Sequence, residues 1–322
     1  AVYEGRKLVE LHLDRWSDFH RPRIGEQWTG QISAIDASVG GLWVDLGKGR
    51  PGLLSFKAQR DLPRLTEGER IDVIITREAL AEKGPLLRYV DTATREKPGG
   101  VTLLSLRQRL GIRFPDIVFE ESSVGVLDGA TERQLAVPGG GVITIDQTQA
   151  LIAIDVDKAS AKTVMDCASQ AAGLIMSQLR LRGLGGLIAI DYPNLRQPKQ
   201  RSTILRLMEE AAQADPASIR IAPFSRFGVV EMTRGQDGSS MDAKLNDRFG
   251  QPTVETRAIR ALRRLTREAK AAPGAQLTLT VTQDIDAWLG DAPFDWRTPL
   301  SERMGDRYKI AVGGRVDVRS DR

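Results

Sequence analysis

The chain has 322 residues, 41% hydrophobic and 27% charged, a composition that excludes intrinsic disorder and fibrous architecture and allows two or three compact units. Its one cysteine, Cys167, excludes an intramolecular disulfide and a zinc site built on two thiolates, and two histidines, His12 and His20, leave Ser-His-Asp and Cys-His schemes improbable. A net charge of +4, from 46 Lys and Arg against 42 Asp and Glu, favours a polyanionic partner and leaves carboxylates, acting through a divalent cation, as the main source of chemistry. No run approaches the roughly 18 apolar residues of a membrane span, and charges are mixed through residues 1–30, so the expectation is a cytoplasmic protein without a membrane span.

Residues 1–24 are expected to pack on the core. Over 25–90, glycines at 25, 30, 40, 41, 47, 49, 52 and 68 punctuate short alternating runs such as QISAI, GLWVDLG and RIDVIIT, the pattern of a small β-barrel. The string GEQWTGQISAIDASVGGLWVDLGKGRPGLLSF, followed by LTEGERIDVIIT and EKGPLL, resembles an S1 RNA-binding domain, an OB-fold. That resemblance implies single-stranded RNA stacking on Trp43, with Lys48, Arg50 and Lys83 meeting phosphates; by spacing alone, Trp43 filling the barrel is an equal reading. Leu53 stands where such domains often carry a second aromatic, which implies a weaker grip.

Residues 91–136 form a connecting region, with EKPGG at 96–100 as a linker and Arg107, Arg109 and Arg113 in a short helical pattern. From 137 to 157 the chain reads as a β-hairpin whose second strand puts Leu151, Ala153, Asp155 and Asp157 on one face and Ile152, Ile154 and Val156 on the other. Residues 163–182 follow as a helix with Cys167 in its apolar stripe, a small core residue, and Gly183 as its stop. LIAID at 187–191 is an apolar strand ending in a carboxylate; a helix over 198–214 and strands in SIRIAPFS and FGVVEMT complete an α/β layer over 137–234. Residues 235–253 are expected to be a flexible link. The amphipathic helix at 254–271 turns Ile259, Leu262, Leu265 and Ala269 inward and Arg257, Arg260, Arg263, Arg264 and Arg267 outward, as a solvated face or a phosphate grip. With QLTLTVT, DIDAWL, YKIAV and GRVDVR it makes a small C-terminal α/β unit, 254–322.

Asp155 and Asp191 each end a strand, with one strand-helix-strand passage between them. Where such a passage returns the chain beside its starting strand, the two carboxylates can hold a Mg²⁺ that keeps several waters for a phosphate substrate; loop capping and salt bridging are the commoner meanings of such pairs. The blocks GGGVITIDQTQALIAIDVD, QLRLRGLGGLIAIDYPNL and SRFGVVEMTR resemble three consecutive catalytic blocks of the RNase E/RNase G family, which follow an S1 domain in the same order. The fold implied is multidomain, α+β and α/β: an S1 barrel joined to a DNase I-like catalytic core, with the small C-terminal unit behind it.

The family resemblance implies an endoribonuclease that cuts single-stranded RNA by attack of a Mg-bound water, leaving 5′-phosphate and 3′-hydroxyl ends, in RNA processing or decay. Asp155, Asp191 and Asp157 are the expected catalytic residues, with Asp155 and Asp191 holding Mg²⁺ or Mn²⁺; Arg226 would bind the RNA backbone; Arg180 and Arg182 would face RNA or cap their helix; Glu231 lies in the matching strand. Several positions depart from the family pattern. Asp157 replaces an asparagine, as a third ligand or as a charge that perturbs its neighbours, and is followed by Lys158 where serine is usual; Gln149 and Asn194 replace acids. The zinc-link cysteines have no counterpart, Leu245 and Arg248 standing near their places, so no structural zinc is expected and a homodimer would need another interface. The short connecting region implies a reduced 5′-monophosphate sensor. The alternative reading is a catalytically weak or inactive S1-containing RNA-binding protein on a nuclease-like scaffold.

Overall fold

The computed structural model describes residues 1–15, 18, 21–58, 62–80, 83–93, 97–120, 131–292 and 294–321; His20 and Glu96 lie outside the described residues. The chain is a mixed α/β protein of two compact units, one built from most of residues 1–241 and the other from Arg15 and residues 242–322. None of the described helices is long and apolar enough to cross a membrane.

The first unit opens with a hairpin, β1 (Val2–Glu4) and β2 (Lys7–Glu10). A barrel follows: β3 (Gln27–Asp36), β4 (Gly41–Asp45), β5 (Gly52–Ser55), β6 (Arg70–Arg77) and β7 (Leu86–Thr92). The strands run in the order β4-β5-β7-β6-β3, and β3 pairs again with β4, so the sheet closes on itself; β5 and β7 are parallel and the other pairs antiparallel. Strand alternation points Trp28, Ile32, Leu42, Val44, Leu54 and Ile71 into a dry interior. The stretch expected to serve as a linker instead leads into β8 (Gly99–Thr102), which pairs with β3, because a small barrel offers an open strand edge that a passing backbone can satisfy. α1 (Leu106–Arg113) starts at a capping box in which the Ser105 and Gln108 side chains each bond the other's backbone.

The second sheet of this unit comprises β9 (Gln134–Val137), β10 (Gly141–Gln147), β11 (Ile152–Asp157), β12 (Gly186–Asp191), β13 (Ile219–Ile221) and β14 (Val229–Arg234), in the order β13-β14-β12-β11-β10-β9. Only β11 and β12 are parallel, and α2 (Val164–Arg182) makes the crossover between them. Thr163 caps α2 by accepting the Asp166 N–H at 3.0 Å. α3 (Pro198–Ala212) follows β12. Ile143, Ile154, Ile188, Ile190 and Val230 form the sheet side of one core, and Cys167, Ala171, Ile175 and Leu179 of α2 with Ile204 and Met208 of α3 form its helix side.

Two arginines of α2, expected to face RNA or to cap their helix, make the following contacts within the first unit. Arg180 donates to Glu10 at 3.1 Å, to Glu4 at 2.7 Å and to the Ala214 carbonyl at 2.7 Å. Arg182, only 2% exposed, donates to Gln178 and to the Glu132 carbonyl, each at 2.8 Å. Both charges are engaged inside the unit, because the β1–β2 hairpin lies against the end of α2.

The second unit holds α4 (Met241–Leu245, whose first residue belongs to the first unit), α5 (Val254–Ala271), β15 (Gln276–Val281), α6 (Gln283–Gly290), α7 (Arg297–Met304), β16 (Tyr308–Val312) and β17 (Asp317–Asp321). β15 lies between a parallel β16 and an antiparallel β17, over a core that includes Leu262, Leu265, Leu279, Ile285 and Trp296. Residues 235–253, expected as a flexible link, contain α4 and an Asn246–Pro252 bridge, and the Leu245 carbonyl accepts the Thr256 hydroxyl at 2.7 Å. Of the α5 arginines, Arg257 pairs with Asp284 and Arg264 with Asp317.

Glu10 is the buried anchor of the hairpin. Burial alone would push its carboxyl up, but the His12 hydrogen bond, the charges of Arg113 and His12 and the Arg180 hydrogen bond hold it below its ordinary value of 4.5. A depressed carboxylate stabilises the fold above that ordinary value and loses the contribution as pH falls through its folded value. Glu10→Gln should therefore cost about 2 kcal/mol at pH 7, seen as a lower melting temperature. The gap to wild type should shrink below pH 4.5; a constant gap down to strongly acid pH would show that the charge contributes nothing.

Candidate active site

The site is a product of strand parity. On β11, Ile152, Ile154 and Val156 point into the helix-covered core, so Ala153, Asp155 and Asp157 must point the other way. On β12, Ile188 and Ile190 are buried and Asp191 is exposed. The parallel register sets Asp155 directly beside Asp191 at the C-terminal ends of the two strands. Neighbouring strands lie about 4.8 Å apart, so the two carboxylates can reach a common cation. Such strand ends are where open α/β sheets hold ligands.

Partial burial, then the negative charges of Asp191 and Asp157, hold the Asp155 carboxyl above the usual carboxylate range. Asp157 lies one rung further along, opposite Val142, and its carboxylate accepts the Ala159 N–H at 2.8 Å. Glu231 of β14 shares the open face, opposite Ala189. Among the described residues no three acid, imidazole or thiol groups converge on one ion position, so Asp157 and Glu231 do not complete a cage around the pair.

A cleft of about 510 Å³ opens at the two aspartates, bounded also by Asn194, Arg201, Arg226 and Phe227. The wall is closely packed on the β12 side. The Tyr192 ring is tilted against Phe224 with centroids 5.9 Å apart, and its buried hydroxyl, pushed well up by burial, donates to the Met208 sulfur at 3.4 Å. Arg201 donates to the Leu195 carbonyl at 2.9 Å and lies 5.5 Å over the Phe224 ring, which leaves the rest of its guanidinium on the cleft. Sequence reasoning missed Arg201; the available signal was its place in the first turn of a helix that begins at Pro198, just after the strand-end aspartate.

Arg226 is exposed at the corner of a tight turn. The Gly228 N–H bonds the Ser225 carbonyl at 3.1 Å and the Ser225 N–H bonds the Val229 carbonyl at 2.8 Å. Gly228 has φ +88°, a conformation that an L side chain resists.

On the barrel, Trp43 is half-buried on β4 between Ala34 and Leu53, and its indole N–H donates to Asp36 at 3.2 Å. The tryptophan that fills the interior is Trp28, so the plug reading of Trp43 fails. Lys48 and Arg50 are exposed between β4 and β5, and Lys83 is exposed between β6 and β7. These two loops run side by side: a Cβ on Gly84 would lie 1.9 Å from the Pro51 carbonyl oxygen, an approach that only glycine permits.

With this geometry in place, likeness to known proteins becomes informative. A profile of the Ribonuclease E/G family matches residues 108–237, which include both aspartates and the whole cleft. Residues 108–237 belong to the ribonuclease E/G family. Ribonuclease E of Escherichia coli K12 is 39% identical over 115 residues, 34% of this chain and 11% of the relative. Ribonuclease E of Buchnera aphidicola subsp. Acyrthosiphon pisum is 38% identical over 122 residues, 36% of this chain and 14% of that protein. Ribonuclease G of Salmonella typhimurium is 33% identical over 138 residues, 39% of this chain and 28% of that protein. The chain thus spans between 11% and 28% of the length of these relatives.

The charge coupling around Asp155 is open to direct measurement. Removing a neighbouring negative charge favours its ionised form, so Asp191→Asn should lower the Asp155 titration toward 3.8, and Asp157→Asn should lower it by less. Carboxyl ¹³C chemical shifts against pH would show this; an unmoved titration in both variants would mean that burial alone sets it.

Proposed function

We propose that this chain is a metal-dependent endoribonuclease of the ribonuclease E/G type, cutting single-stranded RNA to leave 5′-phosphate and 3′-hydroxyl ends. The observation that carries the proposal is the in-register pair Asp155 and Asp191 at the floor of an open cleft that also presents Arg201 and Arg226. Ribonuclease E and ribonuclease G relatives support the same reaction class.

The residues fit a Mg²⁺ or Mn²⁺ site. Mg²⁺ is ordinarily held by one or two carboxylates, with waters and substrate phosphates filling the remaining positions, and two exposed aspartates in an open cleft meet that demand. When bound, the cation supplies a Lewis acid that acidifies water and offsets charge developing on the phosphoryl oxygens. The chain's own contribution is placement. Asp155 and Asp191 hold the cation; Arg226, projecting from its turn, and Arg201, braced by Leu195 and Phe224, meet the phosphates on either side. The braced position of Arg201 reduces the reorganisation needed in the transition state.

The barrel supports the second half of the proposal, an S1-type OB-fold that holds the RNA strand. Five strands, closure of the first on the second, and a parallel contact between the third and fifth agree with that architecture. Trp43 offers a stacking face on the strands used for binding, flanked by the loops of Lys48, Arg50 and Lys83. The core sheet, covered by helices on one face with its acids on the other, is read as the DNase I-like part. The unpaired, buried Cys167 fits a reducing compartment and hence a cytoplasmic location.

Incubation of a fluorescent single-stranded RNA with Mg²⁺ or Mn²⁺ should give cleavage by wild type, with Asp155→Asn and Asp191→Asn slower by roughly 100-fold or more while RNA binding persists. Binding without cutting by wild type in either cation would instead assign the chain to RNA-binding scaffolds. Trp43→Ala should weaken RNA binding by about 1–3 kcal/mol, read as a shift in a titration curve. The short connecting region further predicts that 5′-phosphate and 5′-hydroxyl versions of one oligomer are cut at similar rates; a gap of about tenfold, 1.4 kcal/mol, would overturn that point.

A further inference from the structure

Phe227 is 93% exposed, the largest exposure among the described large hydrophobic side chains. Scattered apolar residues on a surface need no explanation. This one differs in its address, because it forms part of the wall of the cleft that holds Asp155 and Asp191, next in sequence to Arg226. Its backbone is also fixed. The turn that carries it is closed by the Gly228 and Ser225 backbone hydrogen bonds, and the Ser225 hydroxyl accepts the Val229 N–H at 3.3 Å. A ring on such a turn has two torsions to order and no protein neighbour to leave.

We infer that Phe227 is a stacking platform for an unpaired nucleobase beside the phosphate held at Asp155 and Asp191, with Arg226 engaging the adjoining backbone. The inference rests on the nuclease reading for the identity of the ligand. A naked ring beside an arginine and a cation-holding pair matches the chemistry of a single strand, in which base, phosphate and base alternate along the chain. A base inside a duplex presents no free face to such a ring, so the platform selects single-stranded substrate at the site of cutting itself, independently of the barrel.

The test uses the whole chain and two kinds of RNA. Phe227→Ala removes almost no packing, so the variant should fold with an unchanged melting temperature. Its kcat/KM on a single-stranded oligomer should fall about tenfold, and Phe227→Tyr or Phe227→Trp should restore it. An abasic residue at the stacked position should slow wild type by a similar factor and leave Phe227→Ala no slower than before. A second arm needs no cleavage: oligomers carrying 5-iodouridine at successive positions, bound and irradiated, should give an adduct that mass spectrometry maps to Phe227. That adduct in a protein that does not cut RNA would keep the platform and discard the nuclease. Normal kcat/KM for Phe227→Ala together with adducts only at other aromatic residues would discard the platform and keep the nuclease.

Discussion

The parallel pairing of β11 and β12 is the constraint on which the rest of the first unit depends. Parallel neighbours cannot be joined by a tight turn; they require a crossover, and α2 supplies it by packing its small and apolar side chains onto Ile154, Ile188 and Ile190. Those isoleucines lock the register. A slip of one residue on β12 would turn Ile188 and Ile190 out to water and drive Asp191 under the helices, an exchange that costs several kilocalories per mole through lost apolar burial and a buried unpaired charge. Asp155 and Asp191 therefore meet because their apolar neighbours must. The fold tolerates two adjacent carboxylates because the face they share lies opposite the one that α2 and α3 cover, and partial burial together with the residual repulsion raises the Asp155 carboxyl.

Charge is distributed along this sheet by the same geometry. α2 runs back against its two strands, so its C-terminal arginines lie at the end of the sheet opposite the aspartates. There the cations are matched by buried partners. Arg180 meets Glu10, and Arg234, paired across from Gly186, makes two bonds to Asp215 at 2.8 and 2.9 Å. At the other end, the cleft beside the aspartates carries the half-exposed Arg201 and the exposed Arg226, and among the described residues neither aspartate has an ion-pair partner, whereas the other end is internally paired. The overall charge of +4 hides this separation, since it averages arginines already engaged with arginines that face the cleft.

What could be read from the amino-acid sequence follows the range of the interaction responsible. The alternation in ALIAIDVD and GLIAID is a nearest-neighbour signal of period two and the α2 stripe one of period 3.6, so the faces of β11, β12 and α2 were legible, while the adjacency of the two strand ends stayed conditional on the pairing itself. The β1–β2 hairpin and β8 are three or four residues long and exist because a neighbouring strand or helix completes their bonding, which leaves no local trace. The destination of Arg180 was equally hidden: its partner Glu10 is 170 residues away in sequence. Arginines near a helix C-terminus satisfy the dipole, a ligand or a distant carboxylate with the same local pattern, and tertiary packing decides among them. Arg201 was missed for the converse reason, since its value comes from facing a cleft formed by segments on either side of it.

Asp157 shows how a departure at one position can be absorbed. Asp157 places a negative charge two residues from Asp155, on the same face, where the family resemblance implies an asparagine. The carboxylate is turned toward the backbone, however, and accepts the Ala159 N–H in the turn after β11, where Ala159 itself adopts φ +42°. A side chain that stabilises a positive-φ alanine performs a local structural task that an asparagine carbonyl would perform equally well. The additional charge then reaches Asp155 through space, as the smaller of the two like-charge influences on it. Its consequence, added to burial and to the charge of Asp191, is an Asp155 carboxyl that keeps its proton to higher pH than an isolated aspartate.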